Sequence, residues 1–308
     1  MSRRSACLSG FLALICWVAV AVPASAQHFK QIAGSLSQIA VGRTEVWGID
    51  ASNHTYRFIP GTKKFLLMPV SLTQVAVGGG TLLQNDEVWG VNASGQIYRF
   101  NFHTKTLAQV PGVLSQIAVG EGNQDKCHPY EVWGIDPNLH VYRYNYCTSQ
   151  WTQGDIALTP PLTHIATCGG STWGLDEYAQ IWEYDPTGIG AWNQIPGSLQ
   201  QLTVGVNDVW GLDGNGGDWR YDPVDGGFIS YILMEPLTQI AAGGNGVWAI
   251  DSFGNLYRFS KDGPLSDDGY FFHQMYVSLT PLTQIAVGSG GGVWGVDSSN
   301  RIFTFVRP

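Results

Sequence analysis

The chain has 308 residues, and its 24 acidic and 16 basic side chains give a formal net charge of −8. A phosphate backbone is repelled by such an acidic excess, so the composition argues against nucleic acid as a partner. With 39 glycines, 12 tryptophans and only 13% charged residues, the chain is typical of packed sheets joined by short turns, and a disordered chain is excluded.

The first 26 residues have the layout of a cleavable secretory signal. Two arginines precede an apolar run over residues 8–22, and three small residues then offer a cleavage site before Gln27. A membrane anchor is the alternative, but the run is shorter than the ~20 residues that a spanning helix needs. The sequence therefore predicts a secreted or periplasmic protein with a mature domain over residues 27–308 and no transmembrane segment.

One phrase recurs seven times along the mature chain. It consists of Leu-x-Gln-Ile-Ala-Val-Gly, a variable gap, Val-Trp-Gly-Ile-Asp, a short turn, and Ile-Tyr-Arg-Phe. The seven tryptophans are Trp47, Trp89, Trp133, Trp173, Trp210, Trp248 and Trp294. Their spacing of about 40 residues is that of a propeller blade. The fold class is therefore predicted to be all-β, a β-propeller of seven four-stranded blades.

The first unit shows how the strands follow one another. Its outer strand is predicted at 29–32, its small-residue inner strand at 36–41, its second strand at 46–50 and its third at 55–58. The chain ends on a third-type strand at 302–305, so the N-terminal strand is expected to complete the last blade. Closure of this kind removes open sheet edges.

The turn between the second and third strands sets a register. A three-residue loop that ends at Gly95 pairs Trp89 with Arg99 and Gly90 with Tyr98. We expect the arginine to stack on the indole, and the glycine to be needed because the tyrosine ring covers it. The same register pairs Trp47 with Arg57, Trp133 with Arg143, Trp210 with Arg220 and Trp248 with Arg258, whereas Trp173 faces Glu183 and Trp294 faces Thr304.

Two further polar positions recur. A carboxylate or amide ends each second strand, where it is expected to cap the turn, although a structural calcium site is an alternative. These residues are Asp50, Asn92, Asp136, Asp176, Asp213, Asp251 and Asp297. A glutamine in each inner strand, replaced by His164 in the fourth unit, is expected to satisfy buried backbone groups or water near the channel.

The joint occurrence of these phrases over residues 29–305 resembles tectonin repeats. That resemblance implies a propeller that recognises glycans or lipopolysaccharide on cell surfaces at several similar sites. Lectins of this type are usually six-bladed, so six blades are the alternative to the seven units counted here. The fourth unit departs from the pattern at His164, Cys168 and Glu183.

The expected ligand-binding positions are the tips of the second-to-third-strand hairpins, because these vary while the strands do not. They are His54, Asn138, His140, Tyr178, Asn215, Phe253 and Asn300, with Trp151 and Trp192 of outer strands as further candidates. For any single one of them, an ordinary turn or packing residue is the favoured interpretation. Repeated weak sites gain strength on a polyvalent surface. The function predicted is that of a secreted lectin with no cofactor and no metal.

Two other classes of function compete with the lectin. A propeller enzyme such as a lyase or glycosidase is less favoured, because no paired histidines, Gly-x-Ser-x-Gly elbow or zinc-type cysteine cluster occurs. A scaffold for a protein partner is the other alternative, and it would use the insertions at 81–86, 121–130 and 261–270.

Three cysteines remain after the signal segment. Cys127 and Cys147 flank one hairpin, and an oxidising compartment would allow them to form a disulfide. Cys168 is expected to be a buried free thiol, because no base is spaced to activate it.

Overall fold

The computed structural model of the protein describes residues 28–80, 84–154, 159–187, 190–230, 235–260, 271–275 and 281–306. The predicted signal segment and the insertion at 261–270 lie outside these residues. Within them, no helix has the length and apolar character needed to cross a membrane.

Twenty-eight strands occur in the described residues, and each belongs to one of four classes. The inner strands are β2 (Gln38–Val41), β6 (Gln74–Gly78), β10 (Gln116–Asp125), β14 (Leu162–Cys168), β18 (Gln201–Val204), β22 (Leu237–Gly243) and β26 (Leu282–Val287). The second strands are β3 (Val46–Ile49), β7 (Glu87–Val91), β11 (His128–Ile135), β15 (Ser171–Asp176), β19 (Val209–Leu212), β23 (Gly246–Asp251) and β27 (Val293–Asp297). The third strands are β4 (His54–Ile59), β8 (Gln96–Asn101), β12 (Val141–Asn145), β16 (Gln180–Tyr184), β20 (Asp218–Asp222), β24 (Leu256–Ser260) and β28 (Ile302–Val306). The outer strands are β5 (Lys64–Ser71), β9 (Thr106–Val113), β13 (Gln150–Gln153), β17 (Trp192–Ser198), β21 (Gly227–Ser230), β25 (Phe271–Gln274) and β1 (His28–Ile32).

These strands form seven antiparallel four-stranded sheets, which we number as blades in chain order. Blade 1 is β2–β5, blade 2 is β6–β9, blade 3 is β10–β13, blade 4 is β14–β17, blade 5 is β18–β21, and blade 6 is β22–β25. Blade 7 consists of β26, β27, β28 and β1. The seven-bladed propeller predicted from the repeats is confirmed, and the six-bladed alternative is wrong.

The first strand of the described residues closes the ring. β1 pairs antiparallel with β28, so that Phe29 lies opposite Phe305 and Ile32 opposite Ile302. Both Phe29 and Ile32 are buried. The predicted joining of the two chain ends in one sheet is confirmed.

The predicted register between second and third strands also holds in every blade. Trp89 pairs with Arg99 and Gly90 with Tyr98, and the two exceptions, Trp173 with Glu183 and Trp294 with Thr304, are also present. Four of the five arginines lie over the indole opposite, at 5.4–5.9 Å from the ring. The fifth, Arg57, lies 4.9 Å from the ring of Phe100 in blade 2 instead.

The tryptophans pack between blades rather than within them. Each indole meets an aromatic ring on the third strand of the following blade, with ring centres 4.5–4.9 Å apart. The partners are Trp47 with Phe100, Trp89 with Tyr144, Trp133 with Tyr184, Trp173 with Tyr221, Trp210 with Phe259, Trp248 with Phe305 and Trp294 with Phe58. Edge-to-face contacts of this kind add to the burial of apolar area. The hydrophobic core therefore consists of interblade clusters.

The reason expected for the glycine after the tryptophan, which six of the seven second strands have, is wrong. A Cβ on Gly48 would come within 2.3 Å of Leu36 and 2.9 Å of the Gln38 carbonyl, and the paired tyrosine is not among its nearest atoms. A leucine that stands just before the inner strand or at its first residue covers the glycine, as Leu72 does for Gly90. Sequence counting missed this because the leucine lies on the inner-strand side of the second strand, outside the hairpin whose register was counted.

The glutamines of the inner strands link each blade to the next. Gln74 accepts the Ile117 backbone N–H at 2.9 Å and donates to the Ile117 carbonyl at 3.3 Å. Gln284 of blade 7 accepts the N–H of Ile39 in blade 1 at 3.0 Å, which carries the same bond across the closure. The expected role in satisfying backbone groups is confirmed, and these groups belong to the neighbouring blade.

Candidate functional site

The hairpins between second and third strands lie on one face of the ring, which we call the tip face. In blade 1, Asp50 ends the second strand and one of its oxygens accepts the N–H groups of Ser52 and His54 at 2.8 and 2.9 Å. Its other oxygen accepts from the His54 ring at 3.0 Å and from the Tyr56 hydroxyl at 3.1 Å. Burial alone raises the pKa of Asp50, but these hydrogen bonds outweigh it and hold the pKa below its ordinary value.

Equivalent bonds recur in the other hairpins, so the expected capping role is confirmed. Asp136, Asp176, Asp213, Asp251 and Asp297 each accept two backbone N–H groups of their own turn, as Asn92 does with its amide oxygen. Protein donors occupy these oxygens. Among the described residues, no group of three or more His, Cys, Asp or Glu side chains is arranged to hold a metal ion.

The hairpin-tip residues selected from the sequence are spread around the tip face. Tyr178 and Phe253 are 73% and 70% exposed and stand apart in blades 4 and 6. His54 donates to Asp50, and the Asn300 carbonyl accepts the N–H of Leu36, so both have a role within the fold. Asn215 is exposed at the tip of blade 5.

Asn138 and His140 differ from the others because both line a cavity. It has a volume of about 210 Å³ and joins a second cavity of about 290 Å³. The two share Val141, Gln153, Gly154 and Thr159, and together we call them the blade 3/4 groove. Its other polar lining includes His128, Arg143, Asn145 and Thr152.

Aromatic rings form the wall of the blade 3/4 groove. The rings of Trp133, Tyr184 and Trp192 lie 4.7–5.8 Å apart, centre to centre. Arg143 lies 5.4 Å from the Trp133 ring and donates to Glu131 at 2.5 and 2.9 Å, which fixes its guanidinium. Trp192, a candidate from the sequence, therefore contributes to the groove. Trp151 packs on Trp89 instead, at 5.6 Å.

A disulfide lies close to the second cavity. Cys127, between β10 and β11, is bonded to Cys147, between β12 and β13, and their Cα atoms are 4.9 Å apart. This bond ties two turns of blade 3 together beside His128. Cys168 is a free thiol, and its burial, followed by the charge of Glu121, raises its pKa to about 12. A thiol so protonated at neutral pH is a poor nucleophile.

Another cavity, separate from the blade 3/4 groove, lies where blade 7 meets blade 1. It has a volume of about 490 Å³ and lies between blades 7 and 1 on the tip face. Its lining includes Ser35, Asp50, Ser52, Tyr56, Lys64 and Phe65. Like the blade 3/4 groove, it combines aromatic rings with side chains that form hydrogen bonds.

A charged cluster that the sequence analysis missed supports three of the blades. Glu45 accepts from the Trp47 indole at 3.0 Å and from two nitrogens of Arg57 at 2.6 and 2.7 Å. Glu87 and Glu131 hold the corresponding pairs in blades 2 and 3. The signal was present, because a glutamate stands two residues before the tryptophan in three of the seven units.

Blade 4 lacks this cluster. Ser171 takes the position of the glutamate and accepts from the Trp173 indole at 2.7 Å, while Glu183 takes the position of the arginine. Burial and then the charge of Asp185 raise the pKa of Glu183. His164, in place of glutamine, bonds Gln116 at 2.9 Å in the interior.

Comparison with known proteins finds one family whose model matches this chain. A family model described as the Tectonin domain matches residues 20–159 and 161–307. No curated protein sequence matches the chain.

Solved structures with a similar fold come from proteins of different kinds. Prp20p from Saccharomyces cerevisiae, described for its binding to Gsp1p and histones, is 11% identical with a TM-score of 0.64, over 88% of this chain and 82% of its own. Streptogramin B lyase is 14% identical with a TM-score of 0.63, over 91% and 97%. YCF48 bound to a D1 peptide is 14% identical with a TM-score of 0.64, over 92% and 97%. At these identities the likeness concerns the fold alone.

Proposed function

Because the chain belongs to the tectonin family, we propose that it is a secreted lectin that binds glycans or lipopolysaccharide on cell surfaces through grooves between its blades. The observation that carries this proposal is the blade 3/4 groove. It brings aromatic rings in edge-to-face and tilted contact together with imidazole, amide and hydroxyl groups in one concave surface. Such a combination suits a sugar, whose C–H face packs on rings while its hydroxyls need directed partners.

The cavity between blades 7 and 1 supports recognition at more than one groove. It lies on the same face and also combines a tyrosine with carboxylate, hydroxyl and ammonium groups. Two weak sites on one rigid ring raise the apparent affinity for a polyvalent surface, provided that the surface spans both. Several grooves would therefore act together.

Gln153 is the residue to change first. It lines both cavities of the blade 3/4 groove and lies on an outer strand with its side chain exposed. We expect Gln153→Ala to lower the affinity for a monovalent sugar about 3- to 10-fold, the loss of one hydrogen bond. Binding to a glycan array should fall less, because other grooves remain.

His103→Ala is the matched control, since His103 is exposed in the turn between β8 and β9 on the opposite face. It should bind the array as the unmodified protein does. Complete loss of array binding after Gln153→Ala would contradict several grooves, and array binding that free sugar does not inhibit would contradict a lectin.

A protein-binding scaffold is the second candidate, and the exposed rings of Tyr178 and Phe253 favour it. Exposed aromatic side chains are enriched where proteins associate. Tyr178→Ala combined with Phe253→Ala separates the two functions. Loss of binding to a protein partner with an unchanged sugar response would favour the scaffold.

A further inference from the structure

The turns that join the inner strand to the second strand have the same length in blades 1 and 5. Each begins with a glycine and ends with an acidic residue that stands two positions before the tryptophan. Gly42 donates its backbone N–H to the Glu45 carbonyl at 2.9 Å. Gly205 donates to the Asp208 carbonyl at 2.7 Å in the same way. The two turns can therefore be compared residue by residue.

A carboxylate from the next blade occupies the turn of blade 1. The backbone N–H groups of Arg43, Thr44 and Glu45 all donate to the Asp86 side chain, at 2.7–2.9 Å. The Thr44 hydroxyl adds another bond to it at 3.1 Å. Successive backbone N–H groups directed at one point form a concavity that binds anions. The chain itself thus shows which chemical group this turn holds.

The turn of blade 5 has the same donors without such an acceptor. Its backbone N–H groups, those of Val206, Asn207 and Asp208, have no hydrogen-bond partner in the described part of the chain. The segment that carries Asp86 in blade 2 has no counterpart in blade 6, where a short glycine-rich turn joins the inner and second strands. Blade 6 therefore leaves the donors of blade 5 open.

The glycine that begins each turn shows the same difference. A Cβ added to Gly42 would lie 2.8 Å from the carboxylate of Asp86. A Cβ added to Gly205 would have no side-chain oxygen among its three nearest atoms, of which the closest is the Cβ of Ala242 at 3.0 Å. The position of the Asp86 carboxylate is therefore not filled by an acid in blade 5.

A cavity of about 390 Å³ borders the turn of blade 5. It lies on the face opposite the hairpin tips, and Val206, Asn207 and Asp208 all line it. Ser289 of blade 7 lines it too, and its hydroxyl oxygen is buried without a hydrogen-bond partner among the described residues. Buried hydroxyls nearly always have a partner, so Ser289 is a second sign of a ligand here. The volume lies in the range of small-ligand sites.

The carboxylate of Asp208 does not exclude an anion from this turn. Asp208 is paired with Arg220 at 3.2 Å. Glu45 in blade 1 is likewise paired with Arg57, at 2.6 Å, and Asp86 occupies that turn beside it. The same balance of charge is thus compatible with a bound carboxylate.

We propose that the inner turn of blade 5 binds the carboxylate of a small acidic ligand through the backbone N–H groups of Val206, Asn207 and Asp208. The ligand would take the place that Asp86 takes in blade 1, and the Ser289 hydroxyl would bond a further polar group of it. Hydrogen bonds to an ionised acceptor are about twice as strong as those between neutral groups. This site is independent of the lectin function proposed for the tip face.

The amide resonances of ¹⁵N-labelled protein test the proposal directly. Titration with sodium acetate should shift the amide signals of Val206, Asn207 and Asp208 downfield in a saturable manner. The amide of Thr44 should not respond, because Asp86 already binds it. Acetamide, the neutral counterpart of acetate, should leave all four signals in place, and sodium chloride controls for ionic strength.

Two variants of one residue complete the test. Val206→Pro removes one of the three N–H groups and should weaken acetate binding about 10-fold, the loss of one hydrogen bond to a charged group. Val206→Ala keeps that N–H and is the matched control, with unchanged affinity. Absence of a saturable shift in the folded unmodified protein would overturn the site. An equal shift with chloride, or unchanged affinity in Val206→Pro, would overturn it as well.

Gluconate tests the part of Ser289, because it carries hydroxyl groups besides its carboxylate. It should bind more tightly than acetate, and Ser289→Ala should remove that advantage. Equal affinities for the two acids in the unmodified protein would overturn the role of Ser289. Gln153→Ala, which tests the lectin function on the tip face, should not change the response of Val206, so the two proposals succeed or fail separately.

Discussion

His164 shows at the residue scale how one substitution changes the chemistry of an interblade contact. Gln116 donates to its Nδ1 at 2.9 Å, which requires a neutral imidazole at that nitrogen. Burial lowers the pKa of His164 below its ordinary value of 6.5, and this outweighs the opposite effect of a hydrogen bond to the Leu202 backbone. A proton on Nδ1 would face the N–H of Gln116, so acid should weaken the contact between blades 3 and 4.

The free energy of unfolding should therefore fall as the pH drops below about 6.5, the ordinary pKa. The unfolded chain takes up a proton there that the folded chain resists until its own, lower pKa is reached. His164→Gln should remove up to about 1.4 kcal/mol per pH unit from this dependence, the limit for a single proton. Denaturant unfolding at pH 5, 6 and 7 measures it, with His103→Ala as the control. Parallel pH profiles for His164→Gln and the unmodified protein would contradict the assignment.

Glu183 and Ser171 permit a test of the charged cluster by restoring it. The folded chain holds the proton of Glu183 more tightly than the unfolded chain does, so its contribution to stability is present below about pH 4.5 and is lost as the pH rises through the raised pKa. At pH 7 the double variant Ser171→Glu with Glu183→Arg should recreate the ion pair of blades 1–3. We expect a favourable coupling of about 1–2 kcal/mol in a double-mutant cycle. Strict additivity of the two changes would show that the cluster is not transferable to blade 4.

At the scale of the element, hairpins could be predicted from the sequence and contacts between blades could not. The pairing of Trp89 with Arg99 followed from counting along a turn, because the two residues belong to adjacent strands. The partner of Gln74 is the backbone of Ile117, in the next blade, and nothing in the local pattern identifies it. For the same reason Asn138 and His140 of the candidate groove were recognised, whereas His128 and Gln153 were not. Their place in it depends on how blade 4 is packed beside blade 3.

Asp86 makes such a contact between blades. It precedes the second strand of blade 2 and binds the turn between the inner and second strands of blade 1. Its buried carboxylate accepts the backbone N–H groups of Arg43, Thr44, Glu45 and Gly80 at 2.7–3.1 Å. Asp86, the last residue of the insertion that was considered from the sequence as a surface for a partner, therefore joins two blades.

Asp86→Ala should lower the free energy of unfolding by at least about 3 kcal/mol, since several buried N–H groups lose a charged acceptor. Asp86→Asn should be nearly as costly, because one oxygen becomes an NH₂ group that faces donors. Urea unfolding measures both. A nearly neutral Asp86→Asn would show that side-chain volume, not the acceptor, is what matters.

At the scale of the whole molecule, closure depends on a strand of five residues. β1 covers the edge of β28. The centre of the Phe29 ring lies 6.2 Å from that of Trp248 and 5.3 Å from that of Phe305. This was predictable, because the order of strand types along the chain left an outer strand at its start and a vacant position at its end.

Phe29→Ala combined with Ile32→Ala should lower the free energy of unfolding by several kcal/mol, since each removes a buried side chain worth about 2–5 kcal/mol. Lys30→Ala combined with Gln31→Ala changes two exposed residues of the same strand and should have an effect within about 0.5 kcal/mol. Thermal unfolding and light scattering compare the two. Equal melting temperatures would contradict a stabilising closure.

The glutamine bonds between inner strands all run in one direction around the ring. Gln74 accepts the N–H of Ile117 and Gln239 accepts that of Ile285, and in both cases the donor lies in the blade that follows in the chain. Gln284 accepts the N–H of Ile39, which lies in blade 1. During synthesis from the N-terminus, a blade thus acquires its forward bond only after its successor has emerged. β1 is synthesised before the other described strands, and its hydrogen-bonding partner, β28, is synthesised after them. The sheet of the last blade can accordingly be completed only after β28 has been made, and a chain truncated before β28 would leave β1 without the strand that it pairs with.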